Sequence, residues 1–299
     1  MMRDAAAPTS AHSGVQPAPV RLGVIDYLNV RPVYDWILTR DTASDRASEA
    51  AIETVTGVPA RMNQALLEGA VDVSNVSSYA YGCHAADWLL IPHLSVAAHG
   101  RVESVLLFSW EADWRKLDGQ PVALTDHSAT SVELVRLLCA RRYGVHPRFA
   151  TTAPDLDVML AQHAAALVIG DRALVERHAA REIAGHGRPY VFDLAAEWQE
   201  WTDLPFVFAV WAARTDRMAA IRASGVVELL RASKARSLAR LDAIAAVYAR
   251  RLGLSQAVCA DYLRLLDYDL SARDLEGLRV FLEMAVPGFA WSNVRGYEE

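Results

Sequence analysis

The sequence predicts an α/β protein of two lobes, the second inserted into the first, followed by a purely helical C-terminal segment. Three observations carry this. From about residue 21 to 213, short apolar runs of strand character alternate with helix-periodic stretches, the pattern of sheets covered by helices. Everything after residue 213 has helical spacing alone. A chain of 299 residues is also long for one hydrophobic core and suits two. One lobe is expected at 21–108 with 210–299 and the other at 109–209, with strands near 102–109 and 205–213 as the crossings. Residues 1–20, rich in Ala, Pro, Ser and Thr, read as a disordered leader without the apolar run of a signal peptide.

The chain is organised around Arg21 to Tyr34, R-L-G-V-I-D-Y-L-N-V-R-P-V-Y. Leu22 to Ile25 have strand character, and the chain turns polar from Asp26 to Arg31. Pro32 suits the first turn of a helix running to about Thr39, because its missing N–H costs nothing there. Asn29 therefore sits where strand gives way to helix, a junction that faces a ligand crevice in open α/β sheets. Its side chain is equally suited to capping that helix. Residues 41–53 are small and charged, a loop that leads into a short strand at Ile52 to Val55. Pro59 to Gly69 has helical spacing through Met62, Ala65 and Leu66, and Val71 to Val76 reads as a strand. Ser77 and Ser78 are cap candidates for a helix through Ala86, and strands at Leu89 to Ala97 and Val102 to Ser109 close the first block.

In the second block Pro121 to Thr125 is a strand, and Ser128-Ala129-Thr130-Ser131 opens a long helix ended by Gly144. Val132, Val135, Leu138 and Cys139 form its apolar stripe. A strand at Pro147 to Thr151, a helix at Asp155 to Gln162 and a strand at Ala165 to Ile169 follow. Gly170-Asp171 then start a helix to about His178. Val191 to Leu194 reads as an edge strand, Glu197 to Thr202 as a tryptophan-rich turn, and Pro205 to Ala213 as the most apolar strand. The tail divides into helices at about 216–232, 233–252, 255–266 and 271–285.

A net charge of −6 and a pI near 5.9 argue against nucleic acid or an anionic membrane as partner. An anionic ligand would need local positive potential. Cys83, Cys139 and Cys259 are odd in number and unpaired by spacing, which suits three buried thiols in a reducing cytoplasm. No H-E-x-x-H, paired cysteines or H-x-H points to a metal. No G-x-S-x-G, P-loop or G-x-G-x-x-G calls for covalent or nucleotide chemistry, although Gly185-His186-Gly187 imitates the opening of the last. The expectation is no metal and no cofactor, with His127, beside a helix start, the histidine to follow. What recurs is small or hydroxyl residues at strand-to-helix junctions: Ser77-Ser78, Ser128 to Ser131, and Gly170. Each serine alone suits an N-cap. Together, around one inter-lobe cleft, they suit a small acid held by helix N-termini.

These same residues carry a resemblance. Y-L-N-x-x-P at Tyr27 to Pro32 looks like the opening motif of the chorismate dehydratases, which begin the futalosine route to menaquinone. The likeness continues through V-S-S (Val76 to Ser78), G-x-V-x-S-V (Gly100 to Val105) and S-x-T-S-V (Ser128 to Val132). It resumes at V-I-G-D (Val168 to Asp171) and W-T-D-L-P-F-V-F-A-V-W-A (Trp201 to Ala212), covering about residues 21–290. Residues 41–53 and the leader look like additions to the family pattern. The resemblance implies a fold like that of type II periplasmic binding proteins and a hydro-lyase reaction, with chorismate losing water to give 3-[(1-carboxyvinyl)oxy]benzoate. By motif match it implies Asn29 and Ser104 as catalytic; Ser77, Ser78, Ser128, Thr130, Ser131, Gly170 and Asp171, at the junctions described above, are the residues expected to bind substrate.

In such a reaction the C3 proton is acidified through the diene carboxylate, and the C4 hydroxyl leaves. Neither Asn29 nor Ser104 is a strong base at neutral pH. The favoured expectation is that the side-chain carboxylate of chorismate removes the proton, while Asn29 and Ser104 orient it and stabilise charge. Asp171 and His127 are the alternative bases. Three rival functions share the architecture. A transport protein would need an export signal or lipid anchor, and a transcription regulator a helix-turn-helix at one end. The related enzyme of the same pathway, acting on a cyclic futalosine derivative, would open with S-P-x-x-N-D where this chain has Y-L-N.

Overall fold

The computed structural model describes residues 19–39, 52–179, 182–183 and 187–298. Most of the expected leader, residues 41–51 of the expected loop, and the Gly185-His186 pair lie outside these.

Strands β1 (Val20–Val24), β2 (Ile52–Thr56), β3 (Val73–Ser77) and β4 (Trp88–Ala98) begin a first sheet. The chain then crosses to a second sheet of β5 (Val105–Ser109), β6 (Pro121–Thr125), β7 (Arg148–Thr152), β8 (Ala165–Ile169) and β9 (Tyr190–Asp193). It returns as β10 (Phe206–Arg214), and two short strands, β11 (Leu266–Asp267) and β12 (Arg295–Gly296), join the first sheet's far side. The strand orders are β11-β4-β10-β3-β1-β2, with β12 also on β4, and β7-β6-β8-β5-β9. Each arriving strand enters antiparallel to its neighbours: β10 between β3 and β4, β5 between β8 and β9. β10 is apolar because it is an inner strand buried on both faces, with Phe206, Val210 and Trp211 inaccessible. Trp211 meets Tyr34, and Phe206 meets Trp198 and Phe281 edge to face.

Several local expectations are corrected. The strand expected at 102–109 as the end of the first lobe begins only at Val105 and belongs to the second sheet. Upstream, the buried Asp193 carboxylate accepts the N–H groups of Val102 (3.0 Å) and Glu103 (2.7 Å), and Glu103 takes a left-handed φ of 58°. These bonds hold the segment before Val105 out of the ladder. The chain passes from the first sheet to the second through 99–104 and returns through 194–205. The tryptophan-rich turn is a helix, Leu194–Thr202, because Asp193 also caps it through Ala195 and Ala196 while Trp198 is fully buried. In the tail, left-handed Gly225 (φ 66°) splits the first expected helix into Met218–Ser224 and Val226–Leu238. Helices Leu241–Leu252, Gln256–Leu265 and Ala272–Ala285 follow. Cys139 and Cys259 are buried as expected, whereas Cys83 is exposed. Among the described residues no helix is long and apolar enough to cross a membrane.

The arrangement has one consequence for ligand binding. β1, β3, β6 and β8 run parallel to a neighbour within their sheets, and each leads at its C-terminal end into a helix. Those helices are Arg31–Thr39, Ser78–Cys83, Ala129–Leu137 and Gly170–Ala179. Carboxyl ends of parallel strands are where α/β sheets open their ligand crevice.

Candidate active site

All four junctions meet at one cleft of about 610 Å³, including its mouth. Its walls are largely apolar, with Ile25, Val96, Val102, Ile169 and Phe208 among them. Its polar groups are Tyr27, Asn29, Asn75, Ser77, Ser104, His127, Ser128 and Ser131. No Arg, Lys, Asp or Glu lines it among the described residues.

Asn29 is held by a frame that does not use its own side chain. The N–H groups of Val30 and Arg31 close the turn onto Tyr27 O at 3.3 and 3.2 Å. Asp26 is anchored to the tail by Tyr248 OH and Arg251 Nη1, each at 2.7 Å. The Leu28 N–H crosses the cleft to Asp171 Oδ1 at 3.0 Å. Asn29 Oδ1, by contrast, is buried and has no hydrogen-bond partner. It does not cap the helix. The residue lines the cleft with this acceptor unfilled, which leaves the ligand-facing alternative standing.

Ser104 is fully buried, and its Oγ accepts a hydrogen bond from Tyr262 OH at 2.7 Å. Burial raises the Tyr262 pKa further above its usual 10, so the phenol stays a donor. With an acceptor position filled, the Ser104 proton is free to point into the cleft. This coupling changes what a substitution at Ser104 reports. Ser104→Ala is expected to lose turnover and also about 1–3 kcal/mol of stability, because it strands the Tyr262 hydroxyl in the core. The Ser104→Ala/Tyr262→Phe double variant should regain most of that stability and none of the turnover. Urea melts beside initial rates separate the two effects.

The remaining expected site residues divide. Ser77 and Ser128 line the cleft and cap their helices, accepting from Ala80 N–H (3.3 Å) and Ser131 N–H (3.1 Å). Ser128 Oγ also donates to Ser131 Oγ at 2.9 Å, which directs the Ser131 hydroxyl outward. Gly170 lines the cleft, but its N–H is taken by Ser104 O at 2.7 Å and is not offered to a ligand. Its φ is +67°, and a Cβ there would meet the Tyr27 ring at 3.2 Å. Glycine is thus needed where the two lobes touch. Ser78, Thr130 and Asp171 are not in the lining. Ser78 Oγ donates to Val207 O at 2.6 Å, and Thr130 Oγ1 accepts the Tyr79 N–H at 2.9 Å. Both therefore join elements rather than face a ligand. Beyond the N–H groups already used, the helix starts offer an anion hydroxyl groups and the partial positive charge of the macrodipole.

A family model described as menaquinone biosynthesis matches residues 20–287. The chain belongs to this menaquinone-biosynthesis family. Within it, the chorismate dehydratase of Thermus thermophilus is 36% identical over 275 residues, covering 89% of this chain and 94% of that relative. Among solved structures, a protein from Archaeoglobus fulgidus superposes with a TM-score of 0.68 at 16% identity, covering 89% of this chain and 96% of that one. The alkanesulfonate-binding protein SsuA from Xanthomonas axonopodis pv. citri, bound to MOPS, gives 0.63 at 14% identity, covering 93% and 98%. The periplasmic aliphatic sulphonate binding protein SsuA from Escherichia coli gives 0.61 at 16%, covering 90% and 86%. At these identities the likeness is one of fold. The fold is the two-lobed, periplasmic-binding-protein-like α/β architecture expected from the sequence.

Against that family frame, sequence reasoning missed Asn75, Asn63 and Tyr262, and quoted Tyr27 without giving it a role. Asn63 Oδ1 accepts the Ser77 N–H (3.0 Å) and its amide reaches Ser77 Oγ (3.2 Å), fixing that hydroxyl from a neighbouring helix. Tyr27 was within reach, since it opens the Y-L-N motif. No local signal points to Tyr262, whose relevance comes only from its contact with Ser104.

Proposed function

We propose that this chain is a chorismate dehydratase, a carbon–oxygen lyase that removes water from chorismate to give 3-[(1-carboxyvinyl)oxy]benzoate in the futalosine route to menaquinone. The observation that carries this is the 36% identity to the Thermus thermophilus chorismate dehydratase along nearly the whole of both chains. The cleft supports it: apolar walls suit the ring, and serine hydroxyls at helix starts suit two carboxylates without a basic patch.

In this reading the substrate's side-chain carboxylate takes the C3 proton. The electron pair moves through the diene toward the ring carboxylate and then expels the C4 hydroxyl. The hydroxyl takes the same proton back from the side-chain carboxyl and leaves as water, so atoms and charges balance. Ser104 donates a hydrogen bond to developing charge, and Asn29 fixes the geometry through its unfilled acceptor and its amide. Two features of the lining favour a substrate-borne base. No carboxylate or amine is present there among the described residues, and Tyr27 stays protonated because burial, with Asp171 nearby, raises its phenol further.

That leaves His127 as the one imidazole in the lining among the described residues. His127→Gln is expected to keep turnover within about tenfold of wild type and to leave the shape of the pH–rate profile unchanged. A general-base histidine would instead cost about 10²–10⁴ and remove a limb of the profile. Steady-state kinetics of that variant from pH 5 to 9 decides between them.

A further inference from the structure

Away from the cleft, three side chains converge where β4 ends. His99 Nε2 lies 3.0 Å from Asp274 Oδ1 and 3.3 Å from Asp267 Oδ2. The three ligand atoms all lie within 4.8 Å of one another. They come from separate elements: His99 from the crossing segment, Asp267 from β11, and Asp274 from the first turn of helix Ala272–Ala285.

Asp274 is completely buried, and its two oxygens differ. Oδ2 serves the helix cap, accepting from Ser271 N–H (2.9 Å) and Ser271 Oγ (2.6 Å). Oδ1 has no hydrogen-bond partner, because the His99 ring, although close, does not donate to it. Asp267 likewise spends Oδ1 on the Asp269 N–H (2.7 Å) and turns Oδ2 toward His99. A sealed carboxylate oxygen without a donor is costly. Here it is aimed at an imidazole nitrogen and a second carboxylate. The basic side chains of the same groove do not relieve it: Lys234 is engaged by Asp269 and His93 O, and Arg264 by Asp242.

We propose that His99, Asp267 and Asp274 bind a first-row divalent cation of the Zn²⁺ type, which ties the crossing segment 99–104 to the C-terminal helices. Ligand atoms about 2.0 Å from a tetrahedral ion stand roughly 3.3 Å apart, close to the two separations from His99 Nε2. One imidazole and two carboxylates balance a dication and disfavour Mg²⁺ and Ca²⁺, which take oxygen alone. The fourth position falls to water. The ion's role is structural: it would lock the segment that carries Ser104, without touching the cleft.

The test is titration of the chelator-treated full chain with ZnCl₂ by calorimetry, alongside melting curves. Wild type is expected to take up one Zn²⁺ per chain and to melt higher with it. Co²⁺ should give the visible bands of a four-coordinate ion. His99→Ala and Asp267→Asn change side chains that are not fully buried, so both should fold. Each should weaken Zn²⁺ binding by more than about tenfold, the lower end for losing even an outer-shell partner. Absence of stoichiometric uptake by wild type, or unchanged uptake in His99→Ala, overturns the site. An equal response to Mg²⁺ overturns the ion class.

Discussion

Asn29→Ala is expected to fold as well as wild type and to turn over chorismate about 10²–10³ times more slowly, the usual effect of losing one preorganised group. The dissociation of the two effects follows from the bonds around it. The turn at Tyr27 to Arg31 is closed by backbone N–H groups, Asp26 is tied to Tyr248 and Arg251, and Leu28 is tied to Asp171. None of these uses the Asn29 side chain. Its Oδ1 makes no hydrogen bond within the protein, so deleting it leaves no donor unpaired. A capping residue would behave in the opposite way, losing about 0.5–2 kcal/mol of stability with turnover nearly intact. The pH–rate profile should keep its shape, because no titrating group is removed. Melting temperature and kcat measured on one preparation give the answer.

The second large effect belongs to Asp171. It lies in the first turn of helix Gly170–Ala179, behind the second sheet, and its Oδ1 accepts the Leu28 N–H from the first. It thus ties the two lobes together and lies outside the cleft lining, and we propose for it a positioning role. Burial raises its pKa from 3.8 to about 6, against the pull of the Leu28 N–H and Arg251. The folded state therefore holds its proton to higher pH than the unfolded chain does. Its favourable contribution is complete below about pH 4 and is lost as pH rises through 6, a change of roughly 3 kcal/mol at most. Asp171→Asn keeps an acceptor for Leu28 and removes the desolvated charge. It is expected to melt above wild type at pH 7 to 8, with the difference vanishing near pH 4. Asp171→Ala should melt lower than Asp171→Asn at every pH, because it leaves the Leu28 N–H without an acceptor. Thermal melts of the three proteins across pH 4–8 check this, and an Asp171→Asn protein less stable than wild type at neutral pH would contradict it.

What was legible in the sequence followed from local physics. Strand-to-helix junctions announce themselves through an apolar run followed by Ser, Gly or Asn, and Asn29, Ser77, Ser128, Ser131 and Gly170 all reach one cleft for that reason. The apolar β10 and the helical tail were equally plain. What failed depends on partners distant in the chain. The strand expected from Val102 starts only at Val105 because Asp193, far downstream, holds Val102 and Glu103 out of it. Ser78 and Thr130 share a motif with true lining residues, yet the helix turn carries them toward Val207 and Tyr79 instead. A run such as Glu197 to Thr202 reads as a turn until Trp198 is seen packed against Phe206 and Phe281. Tyr262, which sets the direction of the Ser104 hydroxyl, sits in a tail helix whose pattern speaks only of packing.

The measurement that bears most directly on the proposed function is incubation of the purified chain with chorismate, with the product identified by mass and proton spectra and Asn29→Ala run alongside. The account predicts a single product, lighter than chorismate by one water, with an aromatic ring and an intact enolpyruvyl ether, formed far more slowly by the variant. Chorismate recovered unchanged, or a product that has lost the enolpyruvyl group, would contradict it.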